Sequence, residues 1–494
     1  MAKDLKENFR KAPLWVTIEQ GAGRLVRVSA SILLARILVP EDFGVYALSL
    51  SILEMARMFG NIGIGTTVIQ SSDEPDEHLN SAFWINLCAS VFMFVCSIVC
   101  GWAGSQFLSS PLLVYTVPLL GITLLTGAIP HINHSLLIRR LEFKTLAKAS
   151  FGKLAIESVV SVAFALAGFG VWAFIIGYLL GDFTFSILIW KLTTWRPQWK
   201  PQFVFPKRYW IFGVSIFFFE FSNYLLEHIP NLILGRLTTI YILGLFAFAW
   251  RHGRWLAEVP RLIGRNYLFP AFSRLQKDKV EFQRYYERWL RFMLVWVAPL
   301  FIMQFNLVHL YLPTIFGDKW IPAIQTLRVF IFLGFFEVTF FVPHLFALNA
   351  MGEVRYNTYW NIIESVTRGL ALVIASGFGL MAIAMSMLVV RVIILPLFVF
   401  FTFRKLKIDF YPLLRNITPT ILLCVLGWLV VPLLQKASLA WFHYIPIYLL
   451  IGFIWTILGV KFAPEIKTLI AHAFASIQTV AFNSKSKFMA VGKN

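Results

Sequence analysis

Five charged residues recur at helical spacing inside a long apolar stretch. They are three or four positions apart and would share one face of a helix. They are Arg251, Arg254, Glu258, Arg261 and Arg265. An arginine at the centre of a bilayer costs about 2.5–3.5 kcal/mol on insertion scales. We therefore expect this stripe to face a water-filled cavity or a bound anion; the alternative is an interfacial helix whose arginines reach toward water.

Similar polar stripes occur in other apolar segments. Arg24 and Arg27 lie on one face of the first segment, and few carboxylates accompany them or Arg251 and Arg254 in the sequence. A surplus of guanidinium groups in a low-dielectric cleft favours an anionic ligand, and arginine forks suit phosphate oxygens. Two intramembrane carboxylates, Glu227 and Glu258, are candidates for binding a coupling ion or proton.

The alternative for several of these charges is structural pairing. Three pairs have suitable spacing on a helix, namely Glu54 with Arg57, Lys153 with Glu157, and Glu364 with Arg368. His131 and His134 form a packed polar spot more readily than a metal site. The four cysteines lie in apolar segments without a completing histidine or carboxylate pattern, so we expect no metal.

The composition places these charges in a polytopic membrane protein. Of 494 residues, 58% are hydrophobic and 14% are charged. Soluble domains carry about 25% charged residues. The net charge of +19 has two sources in such a protein, positive cytoplasmic loops and a cationic cavity for an anionic substrate. No segment forms the sizeable soluble domain that nucleic-acid binding would require.

Hydropathy divides the chain into about fourteen apolar segments, each near the roughly 20 residues that cross a bilayer. We predict spans at 14–38, 43–69, 80–107, 112–137, 149–168, 170–194, 208–235, 240–266, 288–312, 321–348, 356–376, 379–403, 413–434 and 442–462. Lysine and arginine concentrate in alternate connections, so the positive-inside rule places these and both termini in the cytoplasm. The fold class is an all-α polytopic membrane protein.

The first six spans resemble the next six in the same order. Leu34-Ala-Arg36 recurs as Leu234-Gly-Arg236, and the Gly-Phe-Gly turn at 168–170 recurs at 377–379. An even number of spans per repeat gives parallel halves. We therefore predict two six-helix lobes in parallel repeat, plus two extra C-terminal helices. The segments are a cytoplasmic N-terminal segment 1–13, an N-lobe 14–207, a C-lobe 208–405, spans thirteen and fourteen at 406–463, and a cytoplasmic amphipathic helix and tail at 464–494.

Several segments resemble those of a known family. Residues 34–46, Leu-Ala-Arg-Ile-Leu-Val-Pro-Glu-Asp-Phe-Gly-Val-Tyr, are similar to the signature of bacterial Wzx-type flippases for polysaccharide repeat units. Other similar segments lie at 80–84, 169–173, 268–276 and 317–322. The resemblance covers most of the chain between 14 and 410. The wider group is the multidrug/oligosaccharidyl-lipid/polysaccharide (MOP) exporter superfamily.

The resemblance implies a two-lobed transporter in the bacterial inner membrane. Its cargo would be an undecaprenyl-pyrophosphate-linked oligosaccharide, an O-antigen or exopolysaccharide repeat unit, moved from the cytoplasmic to the periplasmic leaflet by alternating access. The lipid II flippase of the same superfamily has cavity arginines on spans one, two and eight. This likeness implies that the substrate is bound by Arg24, Arg27, Arg57, Arg251 and Arg254. A polysaccharide polymerase and chain-length machinery are the implied partners, and no cofactor is expected.

Two competing functions fit the sequence less well. An ion-coupled drug exporter of the same superfamily would carry cationic substrates, which favour an acidic cavity. A polymerase or ligase acting on lipid-linked sugars would need a long periplasmic loop with catalytic side chains, and no predicted external loop is that long. The chain also lacks the Gly-Lys-Ser/Thr motif that cradles nucleotide phosphates. We therefore predict a transporter rather than an enzyme.

Overall fold

The computed structural model is helical wherever it is described. It describes residues 21–60, 76–108, 110–199 and 207–406, with 418 and 421–422. All regular secondary structure in these ranges is helix, as predicted. The predicted N-terminal segment, spans thirteen and fourteen, and the C-terminal helix and tail lie outside the described residues apart from isolated positions.

Between residues 21 and 406, the described parts of the chain contain seventeen α-helices, and short 3₁₀ and π segments separate some of them. The α-helices are α1 (residues 21–37), α2 (Pro40–Gly60), α3 (Asp76–Phe107), α4 (Leu113–Ala128), α5 (His131–Arg139), α6 (Phe143–Leu166), α7 (Trp172–Leu192), α8 (Lys207–Leu237), α9 (Ile240–Gly253), α10 (Glu258–Ile263), α11 (Phe269–Arg274), α12 (Lys279–Phe292), α13 (Ala298–Tyr311), α14 (Ile324–Phe336), α15 (Val342–Ala350), α16 (Val354–Ala375) and α17 (Leu380–Leu406). The 3₁₀ segments are Trp255–Ala257, Asp318–Ala323 and Ser376–Phe378, and the π segments are Gly264–Leu268, Met293–Val297, Leu312–Phe316 and Glu337–Phe341.

The chain is a multi-pass membrane protein. In the described ranges six helical stretches are long and apolar enough to cross a bilayer, and the pair α4 and α5, bent by 52°, makes a seventh. Helices α2, α8, α9 and α16 also coincide with predicted spans. They fail the same criteria because they are short or carry the polar stripes. The total of fourteen crossings remains a prediction.

Helix α2 lies at the centre of the first of two compact units. This unit, called unit one below, comprises Met1–His252, Tyr311–Val329 and Val354–Val392. Within it α2 contacts α3, α4 and α8, while α6 packs along α7 and α16 along α8. Buried apolar residues such as Leu53, Leu120 and Ile175 join α2, α4 and α7. These contacts fix the positions of the polar side chains on α2.

Helices α2 and α9 cross with their backbones in contact. A Cβ atom at Gly44 would overlap the carbonyl oxygen of Ile240, and a Cβ at Gly244 would overlap that of Pro40. The two glycines are equivalent positions of the proposed sequence repeat. The contact is therefore reciprocal, and only residues without a side chain permit it.

The segment at 317–322 fastens this crossing to α1. The indole Nε1 of Trp320 donates to the carbonyl of Ala35 at 2.8 Å, and its ring stacks on Phe248 with 3.8 Å between centroids. Lys319 donates to the carbonyls of Arg36 and Leu38 at the end of the same helix. Two segments that carry the family resemblance, 34–46 and 317–322, thus bind each other.

Two repeat-related arginines bind the carboxyl ends of other helices. Arg36 donates to the carbonyls of Thr314 and Ile315 at 2.8 and 3.2 Å. Arg236 donates to the carbonyl of Phe107 at 2.9 Å. Carbonyls at a helix C-terminus lack intrahelical partners and carry negative partial charge, so a guanidinium group stabilises them.

The predicted continuous stripe from Arg251 to Arg265 is wrong. Helix α9 ends at Gly253, a 3₁₀ segment follows Arg254, and a π segment begins at Gly264. Gly253 is packed so closely that an added Cβ would lie 2.7 Å from the Cβ of Phe330. Pro260 has no N–H to donate to the carbonyl four residues earlier, which weakens helix continuity there.

The second compact unit comprises Gly253–Leu310, Phe330–Glu353 and Ile393–Asn494. Its described residues are held by aromatic packing. Phe272 stacks on Phe282 with centroids 4.3 Å apart, and the hydroxyl of Tyr286 lies 2.7 Å from Nδ1 of His344. Phe272 belongs to another segment that resembles the family.

We predict that Gly244→Ala destabilises the protein by about 3 kcal/mol, the upper end of typical overpacking costs, because the methyl group meets a backbone carbonyl. The thermal midpoint of the detergent-solubilised protein, followed by fluorescence-detected size exclusion, should fall clearly. Gly369→Ala is the matched control, since its Cβ would meet only the tip of Ile233 at 3.4 Å. Equal midpoints for the two variants would contradict the reciprocal contact.

Candidate functional site

The polar faces of α1, α2, α8 and α9 meet in unit one. Ser31 on α1 lies 3.0 Å from Nε2 of His252. On α2, Ser51 accepts from Nδ2 of Asn231 on α8 at 3.0 Å. These contacts bring together the helices on which the sequence placed polar stripes.

Two predicted substrate-binding arginines, Arg27 and Arg251, are exposed and interact with the same carboxylate. Arg24, one turn earlier on α1, is half-buried. Glu157 on α6 is half-buried and interacts electrostatically with Lys153, Arg251 and Arg27. Sequence spacing gave no reason to place Glu157 with arginines of α1 and α9, because three separate helices supply them. Among the described residues, two arginines from different helices thus interact with this one carboxylate.

Arg57, the predicted substrate-binding arginine on α2, already contacts three neighbouring side chains. Its Nη1 lies 3.4 Å from Glu54, and its Nη2 donates to the hydroxyl of Thr123 at 3.1 Å. Its guanidinium carbon is also 5.8 Å from the ring centre of Tyr178. The predicted pairing of Glu54 with Arg57 is therefore confirmed.

The predicted pairing of Lys153 with Glu157 is not the direct ion pair that Lys153 forms, although the two groups interact electrostatically. Lys153 donates instead to Asp182 on α7, with Nζ and Oδ1 2.9 Å apart. Close packing of α6 on α7 brings Asp182 within reach, since a Cβ at Gly181 would lie only 2.8 Å from that of Glu157. This contact between helices leaves Glu157 near Arg27 and Arg251.

A buried triad joins α16 and α17 in unit one. Glu364 binds Nη2 of Arg368, as predicted, and its other oxygen accepts from Nη1 of Arg391 at 2.7 Å. Arg391 was not expected there because it lies on the next predicted span. The Arg368 guanidinium also donates to the carbonyl of Leu226 and lies 5.8 Å from the ring centre of Trp250.

Trp250 links this triad to a predicted ion-coupling residue. Its Nε1 donates to Oε2 of Glu227 at 3.3 Å. Glu227 is exposed, in contrast to the buried Glu364.

The other predicted residues, Arg254 and Glu258, belong to the second unit. Arg254 is buried and binds Glu337 through two nitrogens at 3.0–3.2 Å. Arg261 lies 3.1 Å from the same carboxylate and 3.9 Å from Glu258. The sequence offered few obvious carboxylates near Arg254, and Glu337 was missed because it lies 83 positions away.

A cavity of about 160 Å³, lined by both apolar and polar side chains, lies in unit one between α2, α3, α7 and the bend from α4 to α5. Its wall includes Arg57, Asp182, His131 and His134. Among the described residues no cluster of three or more histidine, cysteine or carboxylate side chains has the arrangement of a metal site.

Comparisons with known proteins agree with this architecture. A family described as "Polysaccharide biosynthesis protein" matches residues 33–325. The succinoglycan biosynthesis transport protein ExoT of Rhizobium meliloti (strain 1021) is 24% identical over 342 residues, which cover 68% of this chain and 67% of ExoT. The lipopolysaccharide biosynthesis protein WzxC of Escherichia coli (strain K12) is 23% identical over 60% of this chain and 61% of its own.

A solved structure shares the fold. The lipid II flippase MurJ in an inward closed conformation superposes with a TM-score of 0.67 at 14% identity, covering 92% of this chain and 99% of MurJ. The similarity of the chain to the Wzx-type branch and to the MOP superfamily is thereby confirmed. The chain is a membrane protein of transporter type rather than an enzyme.

We predict that Glu364→Gln destabilises the protein by about 3–5 kcal/mol, because it removes the negative charge that two buried guanidinium groups share. The same thermal-midpoint measurement tests this. Glu227→Gln, at an exposed carboxylate, should change the midpoint little. If both variants unfold at the wild-type temperature, the triad does not stabilise the fold.

Proposed function

We propose that this chain, which belongs to the polysaccharide biosynthesis protein family, is a flippase for undecaprenyl-pyrophosphate-linked oligosaccharide repeat units. Such a headgroup cannot cross hydrocarbon unaided, because its charges and hydroxyls would lose their hydration. The protein would carry it from the cytoplasmic to the periplasmic leaflet of the bacterial inner membrane. ExoT and WzxC, named for succinoglycan and lipopolysaccharide biosynthesis, support an exopolysaccharide or O-antigen cargo.

The observation that carries this proposal is the surplus of exposed guanidinium groups at Arg27 and Arg251. They belong to different helices, yet both interact with Glu157. Arginine binds phosphate oxygens in a bidentate manner, and its attraction to a pyrophosphate is strong where water is excluded. We assign these two residues as the principal pyrophosphate contacts, with Arg24 beside them on α1.

The remaining predicted residues have supporting roles in this proposal. Arg57 in unit one already binds Glu54, and Arg254 in the second unit already binds Glu337. Glu227 and Glu258, both exposed, are the proposed sites for a coupling ion or proton. Trp250, whose indole already contacts Glu227, offers a ring on which a sugar can stack.

The proposed transport cycle uses the repeat as two rocking lobes. Residues 14–207 would form the N-lobe and 208–405 the C-lobe, with two further spans at 406–463, fourteen spans in all, and both termini in the cytoplasm. The reciprocal contact of Gly44 with Gly244 and the matching caps by Arg36 and Arg236 support this symmetry. A polysaccharide polymerase and chain-length machinery would receive the cargo.

The direct test is depletion of the protein from its native cells. Lipid-linked oligosaccharides are extracted and their exposure on each membrane face is measured together with surface polysaccharide. Single repeat units that accumulate on the cytoplasmic face, with loss of surface polymer, are the expected result. Units that reach the periplasmic face unpolymerised would indicate a polymerase, and unchanged lipid-linked sugars would favour a drug exporter.

We predict that Arg27→Ala and Arg251→Ala each reduce surface polymer at least tenfold in a depleted strain, because the pyrophosphate loses a guanidinium partner. Lysine at either position should restore part of the activity, since the charge remains but the bidentate fork does not.

The matched control is Arg284→Ala on α12, whose side chain is 63% exposed. It should support normal polymer export. If a well-expressed double variant, Arg27→Ala with Arg251→Ala, exports polymer at the wild-type level, the proposed phosphate site is contradicted.

A further inference from the structure

The cavity between α2, α3, α7 and the α4–α5 bend has features of a ligand site that the pyrophosphate contacts do not explain. Helix continuity is lost at Ala128–His131, where Pro130 lies at the 52° bend. Irregular backbone at membrane depth is tolerated where it is buried in protein or lines a polar cavity. Broken helices commonly form substrate sites in transporters.

The chemistry of the cavity wall fits a neutral ligand with many hydroxyl groups. Arg57 and Asp182 supply a donor and an acceptor, and their respective partners Glu54 and Lys153 bring the formal charge of these four groups to zero. A cation site would show an excess of carboxylates, and an anion site an excess of guanidinium groups. Vicinal hydroxyls both donate and accept, so they match mixed partners of this kind.

One wall atom lacks a partner. Nε2 of His131 is shielded from solvent and has no hydrogen-bond partner among the described residues. Leaving such a buried atom unsatisfied costs about 1–3 kcal/mol. The imidazole ring would have to rotate before a hydroxyl group of a bound ligand could reach this nitrogen.

The size and aromatic lining of the cavity match one sugar ring. A cavity of about 150 Å³ can hold a benzene ring, so the volume of about 160 Å³ here fits the ring atoms of a pyranose but not all of its hydroxyl substituents. His134 and Phe185, which both line it, contact each other edge to face at 5.9 Å. Their rings offer apolar surface to the C–H groups of a pyranose.

The cavity also lies next to the proposed phosphate site. Asp182 on its wall follows Gly181, where an added Cβ would lie 2.8 Å from the Cβ of Glu157, the carboxylate that interacts with Arg27 and Arg251. We propose that this cavity binds one neutral pyranose ring of the lipid-linked oligosaccharide while the arginines hold the pyrophosphate. The inference rests on the proposed flippase function and names which part of the cargo this cavity holds.

The test narrows the cavity without removing a charged group. Gly127 lines it, and a Cβ there would meet only Asp182 Oδ2 at 3.8 Å, so Gly127→Val should fold. Gly369→Val on α16, outside the cavity, is the matched control. Gly60→Ala, also on the wall, is a second and smaller obstruction, since its Cβ would meet Met93 and Ser90 at 3.6–4.0 Å.

Binding to purified protein is measured by native mass spectrometry with two probes. One is undecaprenyl pyrophosphate, and the other is the lipid-linked oligosaccharide extracted from depleted cells. Wild type and Gly369→Val should bind the glycosylated lipid more tightly. Gly127→Val should lose about tenfold in affinity for it and change less than twofold for undecaprenyl pyrophosphate. Gly60→Ala should show a smaller loss of the same kind.

Other outcomes would overturn the inference. Equal losses for both probes in Gly127→Val would mean a general distortion, and unchanged binding with lost transport would indicate a coupling-ion or conformational role for the cavity. If wild type binds neither probe, the proposed flippase function itself fails. That result is distinct from failure of the sugar site alone.

Discussion

The arrangement of unit one depends on a contact between two backbones, that of α2 at Gly44 with that of α9 at Gly244. A methyl group at either glycine would overlap a carbonyl group of the other helix. The crossing therefore fixes where both helices start, and each then places its polar residues at a determined depth. Ser51 on α2 and His252 on α9 consequently meet polar partners on other helices.

A second constraint acts along the same helices, because charges in an apolar environment must be compensated. Glu364 and Glu337 each receive two arginines, which lets one carboxylate hold two guanidinium groups in place. These guanidinium groups stabilise the packing of the helices that carry them. The exposed arginines Arg27 and Arg251 are different, since both interact with the one carboxylate of Glu157.

The segments that carry the family resemblance serve mainly to hold helices together. Residues 34–46 and 317–322 bind each other through Trp320 and Lys319, and Asn80 accepts the backbone N–H of Gln198 after α7. Such contacts determine how the helices pack and do not involve the transported molecule. These contacts therefore direct the search for sugar specificity to other parts of the protein, such as the α4–α5 cavity.

The sequence by itself determined the class of protein, the helical fold, the family and the helices on which polar residues lie. Those properties follow from local patterns, namely hydropathy, helical spacing and turn motifs. It also identified the pairs Glu54–Arg57 and Glu364–Arg368, which lie on single helices. Its errors came from treating helices as regular and isolated. The predicted stripe from Arg251 to Arg265, for example, assumed one helix, but the helix ends at Gly253.

Only the tertiary structure decided which charges share a partner. Lys153 forms its direct ion pair with Asp182 rather than with Glu157 on the same helix, because close packing of α6 on α7 brings Asp182 within reach. Glu337 reached Arg254 from 83 positions away. Helical spacing describes one helix at a time, whereas ion pairs between helices depend on crossing points that the linear pattern does not record.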